Sequence, residues 1–334
     1  MSLRAIIRYD IARSFPADST TTIPEIVQNS ELHVDDVQRI IRHALTQGLF
    51  REPRSGVVAH SATTQVIVKV PYASDWLAAA LQRMGTVSGH VVDAMQKWPG
   101  SQEPTQTAYN MAYDTDLPFF VHLSQDETKF KHFASAMTFF TSTPAMKSDF
   151  AIDGYDWAQH ASDTIVDVGG SHGVVAFKLA EKYPERKIVV QDRPEVVASA
   201  PQKPELGHVE FRAHDFFKEQ PIKGADVYFY RWILHDWSDN YCVLILRCLI
   251  PAPKKGAKVI LMDSIVPEPG TLTPFQEKPI RAFDIMMKGL FNGKERTEGD
   301  WMKLVREADD KFDVVEVRKP VGSHLCIIVV DWKG

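Results

Sequence analysis

Three cysteines in 334 residues, Cys242, Cys248 and Cys326, are odd in number and lack metal-like spacing. That excludes a disulfide framework and leaves reduced thiols in the cytosol as the simplest expectation. Positive charge is also scarce: 38 Lys and Arg stand against 43 Asp and Glu, a net −5. Such a balance argues against general affinity for nucleic acid or an anionic membrane. No run approaches the roughly 20 apolar residues that span a bilayer. The opening "MSLRAIIRYD" lacks a secretory apolar region and cleavage site, so nothing points to export. Repeats and low-complexity tracts are missing too. What is present is the composition of a soluble globular chain, long enough for two domains.

The two halves differ in style, and the expected division is 1–150 and 151–334. In the first, "VDDVQRIIRHALTQGLF" carries Val37, Ile40, Ile41, Ala44 and Leu45 at helical spacing, with Gly48 as a stop. "REPRSGVVAHSATTQVIV" then reads as a small hairpin turning near Arg54–Gly56. Helix, helix and hairpin form a winged-helix pattern. Its DNA-binding reading would use Arg39, Arg42 and His43. The acidic start at Asp35 and Asp36 favours a scaffold or dimerisation module instead. "DWLAAALQRMGTVSGHVVDAMQKW" and "ETKFKHFASAMTFFTST" read as further amphipathic helices.

From about residue 160, short β-branched runs alternate with helical stretches: "TIVDV", "KIVVQ", "HVEFR", "DVYFY" and "KVILMD". Continuous apolar strands joined by crossovers predict an α/β sheet covered on both faces. "DVVEV" and "HLCIIVV" lie close together and suggest an antiparallel finish. "PEPGTLTPF" (267–275) is expected to be a loop.

Ligands of doubly wound sheets sit beyond the carboxyl ends of the strands. After the first strand comes "DVGGSHG", with Gly169, Gly170 and Gly173, which is either a ligand cradle or only a turn. After the second comes Asp192, suited to both ribose hydroxyls or to capping a helix. After the third, Asp215 could meet an adenine amino group while Phe216 packs on the base; otherwise they are a loop acid and a core aromatic. Three such positions in succession point to a nucleoside cofactor. Asp167, two residues before the first glycine, suits a cationic ligand end better than a pyrophosphate. S-adenosylmethionine, with its ammonium, sulfonium and adenosine, is therefore the expected cofactor. The stretch "RWILHDWSD" places His235 after the fourth strand, either as a base or as a strand-closing residue.

At this point a resemblance appears. "VDVGGSHG", "QDRPEVV", "HDFF", "RWILHDWSD", "KVILMDSIVPEPG" and "DIMMKGLFNGKERTEGDWMKLVREA" resemble, in order and spacing, the caffeic-acid-type small-molecule O-methyltransferases, especially their fungal relatives. The resemblance covers 151–334 throughout and 1–150 more loosely. It implies a Rossmann-like sheet of order 3-2-1-4-5-7-6 beside a helical winged-helix dimerisation domain, hence a homodimer. It implies Gly169, Asp192, Asp215, Phe216 and Arg231 at the cofactor, with Arg231 standing where relatives usually have lysine. By the same resemblance His235 is the general base, flanked by Asp263 and Glu295, and Met286 lines the substrate. Some tens of residues that interlock the dimer precede this domain in relatives, whereas this chain begins inside it.

These residue types suit the chemistry. A phenol, with a pKa of about 10, is little ionised at neutral pH. A histidine near its ordinary pKa of about 6.5 is mostly neutral there and can take the proton as oxygen attacks the methyl carbon. A carboxylate on the other ring nitrogen fixes the tautomer. Asp263 is one carbon shorter than the usual glutamate, which shifts the orienting task towards Glu295. No metal is required. The expected acceptor is a hydroxyl of a small aromatic or polyketide-type metabolite. The alternatives are a non-methylating, for example pericyclic, enzyme on the same fold, or a winged-helix regulator. The first would have no use for the base and its partners, and the second needs a basic face that this chain lacks.

Overall fold

The computed structural model describes residues 1–159, 164–201 and 203–334. The chain forms two compact units, Met1–Val87 with Phe120–Thr141, and Ser88–Phe119 with Ser142–Gly334. This division differs from a single boundary at residue 150. Hydrogen bonds explain part of the difference. Ser238 Oγ donates to Gln102 O at 2.8 Å, and Asn292 Nδ2 donates to Glu103 O at 2.7 Å, tying the 100–106 stretch to the α/β part.

In the first unit, helix Val34–Thr46 begins with Asp35 and Asp36 in its first turn, where negative charge complements the helix dipole. Val37, Ile41 and Ala44 are its buried stripe. They pack with Ile6, Ile11, Ile26, Phe50, Val58 and Ile67 into one core. The hairpin is present as β2 (Phe50–Arg54) and β3 (Val57–His60); β1 (Thr20–Thr22) joins it in the order β1-β3-β2. β1 is too short and polar to be seen in the sequence. Helix Glu127–Ser142 forms as expected. The stretch from Ala73 to Lys97 is broken at Gly89 and His90, and its middle, Ala79–Met84, widens into a π-helix.

The second unit holds a seven-stranded sheet: β4 (Thr164–Val168), β5 (Lys187–Asp192), β6 (Val209–Ala213), β7 (Val227–Arg231), β8 (Lys258–Ser264), β9 (Phe312–Arg318) and β10 (Leu325–Trp332). The order is β6-β5-β4-β7-β8-β10-β9, which counted within this sheet is 3-2-1-4-5-7-6. The first five strands are parallel, and β10 runs antiparallel to both neighbours. Successive side chains of a strand point to opposite faces. On β4, Ile165 accordingly packs with Trp157, Leu179 and Phe229 on one side, and Val166 with Tyr228, Leu246 and Trp301 on the other.

Not all of 267–275 is loop. Pro274 and Phe275 open the helix Pro274–Phe291, capped by a reciprocal Thr273–Gln276 pair. Proline is well suited to the first helical position because its missing N–H would have no partner there. Among the described residues no helix is long and apolar enough to cross a membrane.

Candidate active site

Register brings the candidate residues to one edge of the sheet. Val168 pairs with Gln191 and Tyr230, and Tyr230 with Leu261. The residues that follow, Gly169, Asp192, Arg231 and, one step further, Asp263, therefore share the carboxyl edge of the sheet.

The glycine turn is built for close approach. Gly169 has φ of +73°, and the amides of Gly169 and Gly170 both donate to Gln191 O, at 2.7 and 3.2 Å. A Cβ on Gly170 would lie 2.5 Å from the Asp167 carboxylate, which explains glycine there. Asp192 does not cap the following helix. Its Oδ2 accepts from Ser171 N at 2.8 Å and its Oδ1 from Arg193 N at 2.8 Å, so it reaches back across the turn. Burial pushes its carboxyl up, partly offset by those two amides. Asp167 is buried on the same face as Ile165, and burial raises it to about 7, with Arg231 pulling it down and Asp192 up. Arg231 is lowered to about 10 by burial, opposed by Asp167 and Asp263, and its Nη2 donates to Met146 O at 2.7 Å.

Asp215 is exposed and accepts from Phe217 N at 3.0 Å. Phe216 is half-buried against Phe217 and Trp237. Negative charge at Asp167 and Asp192 would repel a pyrophosphate. An ammonium and a ribose diol, which donate hydrogen bonds, suit those carboxylate acceptors, and a sulfonium suits their charge.

His235 lies in the turn Leu234–Asp236 that follows β7 and is only 4% exposed. Its Nδ1 donates to Glu295 Oε1 at 2.8 Å, and its Nε2 lies 3.4 Å from Asp236 Oδ1. The ring is edge-on to Trp232, at 4.7 Å between centroids, and parallel to Phe283 at 5.9 Å. Burial alone would lower the imidazole, but the charges of Asp236, Glu295 and Asp263, with the Glu295 hydrogen bond, raise it to about 9. The direction is opposite to that of a histidine near its ordinary pKa: the surrounding acids favour the protonated ring. The cause is the crowding of carboxylates about a ring that water cannot reach.

The acids divide their tasks unequally. Glu295 is held in turn by Asp284, whose Oδ1 accepts from Glu295 N at 2.9 Å. Asp263 is fully buried and, among the described residues, neither of its carboxylate oxygens has a hydrogen-bond partner. It acts on His235 only through charge, and burial raises it to about 7. Asp263 and Glu295 are the acids expected to flank the histidine, with Glu295 favoured for the orienting task; Glu295 takes Nδ1, and Asp236, which has no role in that expectation, lies on the Nε2 side. Asp236 is raised to about 6, by burial first, with His235 opposing. Met286 is half-buried on helix Pro274–Phe291. Trp232, Phe283 and Arg296 also escaped the sequence reading. For Arg296 the signal was its place beside Glu295 in "GKERT".

The O-methyltransferase domain family matches residues 91–309. The chlorophenol O-methyltransferase of Trichoderma longibrachiatum is 35% identical, over 99% of this chain and 73% of that protein. Among solved structures, OxaC in complex with sinefungin and meleagrin superposes with a TM-score of 0.86 at 23% identity, covering 99% of this chain and 84% of that one. A pericyclic reaction enzyme superposes at 0.79 and 23%, covering 99% and 85%. At such identities the superpositions establish the fold that the sheet order already displays. The sequence matches go further, since they span the glycine turn, His235 and Glu295 alike: the chain belongs to the O-methyltransferase family.

Proposed function

We propose that this O-methyltransferase methylates a hydroxyl of a small aromatic or polyketide-type metabolite, with S-adenosylmethionine as donor, His235 as base and no metal ion. One observation carries the reading: a buried His235–Glu295 pair, 2.8 Å apart, at the same sheet edge as the Gly169 turn and Asp192. Gly169, Asp192, Asp215, Phe216 and Arg231 would hold the cofactor, with Asp167 beneath. The cofactor, when bound, supplies a methyl made electrophilic by sulfonium.

The chain's own residues do the rest. Glu295 occupies Nδ1, so Nε2, beside Asp236, is the nitrogen that takes the acceptor's proton. Raising the conjugate acid of His235 towards the phenol's pKa of about 10 makes the proton transfer less uphill once the ring is neutral. The slot between Trp232 and Phe283 keeps the imidazole from turning, and alignment of oxygen, carbon and sulfur is the main source of rate.

Residues 1–87 and 120–141 are read as a winged-helix dimerisation module of a cytoplasmic homodimer, and not as a DNA reader. Arg42 is already engaged by Glu52 at 2.7 Å, and Asp35 and Asp36 open the helix that would face DNA. Incubation with methyl-labelled S-adenosylmethionine and a panel of phenolic metabolites, read by mass spectrometry, tests the activity. Labelled methyl ethers are expected. Rearranged, unlabelled products would support the pericyclic alternative instead.

A further inference from the structure

The turn that carries His235 has little structure of its own. It is a single helical turn, and its carbonyls point towards a different segment, residues 293–296. Lys294 N donates to His235 O at 3.1 Å. Arg296 Nη1 donates to Leu234 O at 3.0 Å, and Nη2 to Trp237 O at 2.9 Å. Carbonyls 234, 235 and 237 are thus all held by the segment that bears Glu295.

Arg296 is fully buried and locked from every side. Its Nε and Nη2 reach Asp239 Oδ1 at 2.9 and 2.8 Å, Nη1 donates to Lys294 O at 3.2 Å, and Nη2 to Cys242 Sγ at 3.3 Å. The guanidinium lies over the Trp301 ring, 5.1 Å from its centroid. Gly293 adds a steric term, because a Cβ there would fall 2.3 Å from His235 O and 2.9 Å from the Asp236 carbonyl carbon.

We propose that Arg296 and Gly293 are positioning residues which bolt the His235 turn to the Glu295 segment and so set the His235–Glu295 hydrogen bond. This rests on the reading of His235 as the base. A planar fork with five donors can serve two carbonyls and a carboxylate together, whereas a lysine ammonium cannot span them. Backbone contact at Gly293 sets the spacing from the other side. Loosening either lets Glu295 and His235 drift by a fraction of an ångström to an ångström, a displacement that costs a reaction roughly 100-fold.

The test uses Arg296→Lys, Gly293→Ala and the milder Asp239→Asn, whose carboxylate is partly exposed. In each folded variant, proton NMR reads the His235 Nδ1–H resonance in the free protein, and kinetics reads kcat and KM. We expect the resonance to shift or broaden in all three. We expect kcat to fall roughly 10–100-fold in the first two and less in Asp239→Asn, with the acceptor's KM and cofactor affinity within about threefold. An unchanged resonance and kcat in the variants that fold would overturn the proposal, even if their melting temperatures drop. Should Arg296→Lys not fold, the other two decide. If His235→Ala proved as active as the natural protein, the base reading would fail, yet the resonance would still report on the clamp.

Discussion

Replacing Glu295 with glutamine changes one buried oxygen to an amide and leaves the side chain's shape almost intact. The carboxylate now accepts from His235 Nδ1 at 2.8 Å and is one of three acids that raise the imidazole from 6.5 to about 9 against the opposing effect of burial. Two routes give the size of the loss. Hydrogen bonds to charged groups contribute about 1.5–3 kcal/mol. Removing one of three acids should lower the titration midpoint by about one to two pH units, or ~1.4–2.7 kcal/mol. The routes agree, so above pH 9, where the ring is neutral in both proteins, kcat should fall roughly 10–100-fold, since each ~1.4 kcal/mol in the barrier is tenfold; near neutral pH the larger neutral fraction of the variant offsets its weaker basicity. The amide adds a second fault, because it can donate to Nδ1 as readily as accept from it and no longer specifies the tautomer. The assay is an NMR titration of the His235 ring in the free protein, beside initial rates on whichever acceptor the panel yields. A midpoint still near 9 with full turnover would refute the reasoning.

Other expectations follow from the same geometry. Asp192→Ala removes the carboxylate that spans the glycine turn, and calorimetry should find cofactor affinity weaker by roughly 10–100-fold, the worth of charge-assisted hydrogen bonds; unchanged affinity would remove its role. Asp263→Asn replaces a buried, unpartnered carboxyl with a neutral side chain of similar shape, so chemical denaturation at pH 8 should show equal or greater stability, with less than about tenfold loss in kcat. Stability itself should fall with rising pH. The folded values of His235, Asp236 and Asp263 are all raised, so the folded state binds more protons than the unfolded one. The His235 contribution is complete below pH 6.5 and is lost as pH rises through 9. A melting temperature that climbs between pH 6.5 and 9 would contradict this.

Much of the catalytic unit could be read from residues alone, because buried parallel strands leave unbroken apolar runs and a glycine turn must follow the first of them. The strand-end positions of Gly169, Asp192 and Arg231 come from that logic plus register. What stayed hidden depends on side-chain direction after a strand ends. Asp236 is the chain neighbour of His235, and only the turn's geometry swings its carboxylate to the Nε2 side. Asp263 is the last residue but one of the apolar strand β8, yet its short side chain makes no hydrogen bond among the described residues. Arg296 has no role in the sequence expectation; burial suits it because its guanidinium serves the carbonyls of 234 and 237, while Lys294 N serves that of 235. The Pro274 helix start was masked by proline's reputation as a breaker, although Thr273 and Gln276 supply the capping pair.

The most direct test of the account is single-turnover methyl transfer by His235→Gln with cofactor and acceptor both saturating. A rate roughly 10²–10⁴-fold below that of the natural protein, with cofactor affinity unchanged by calorimetry, is the expected result. Near-natural turnover would show that the acceptor's proton leaves by another path and that the buried imidazole is not the base.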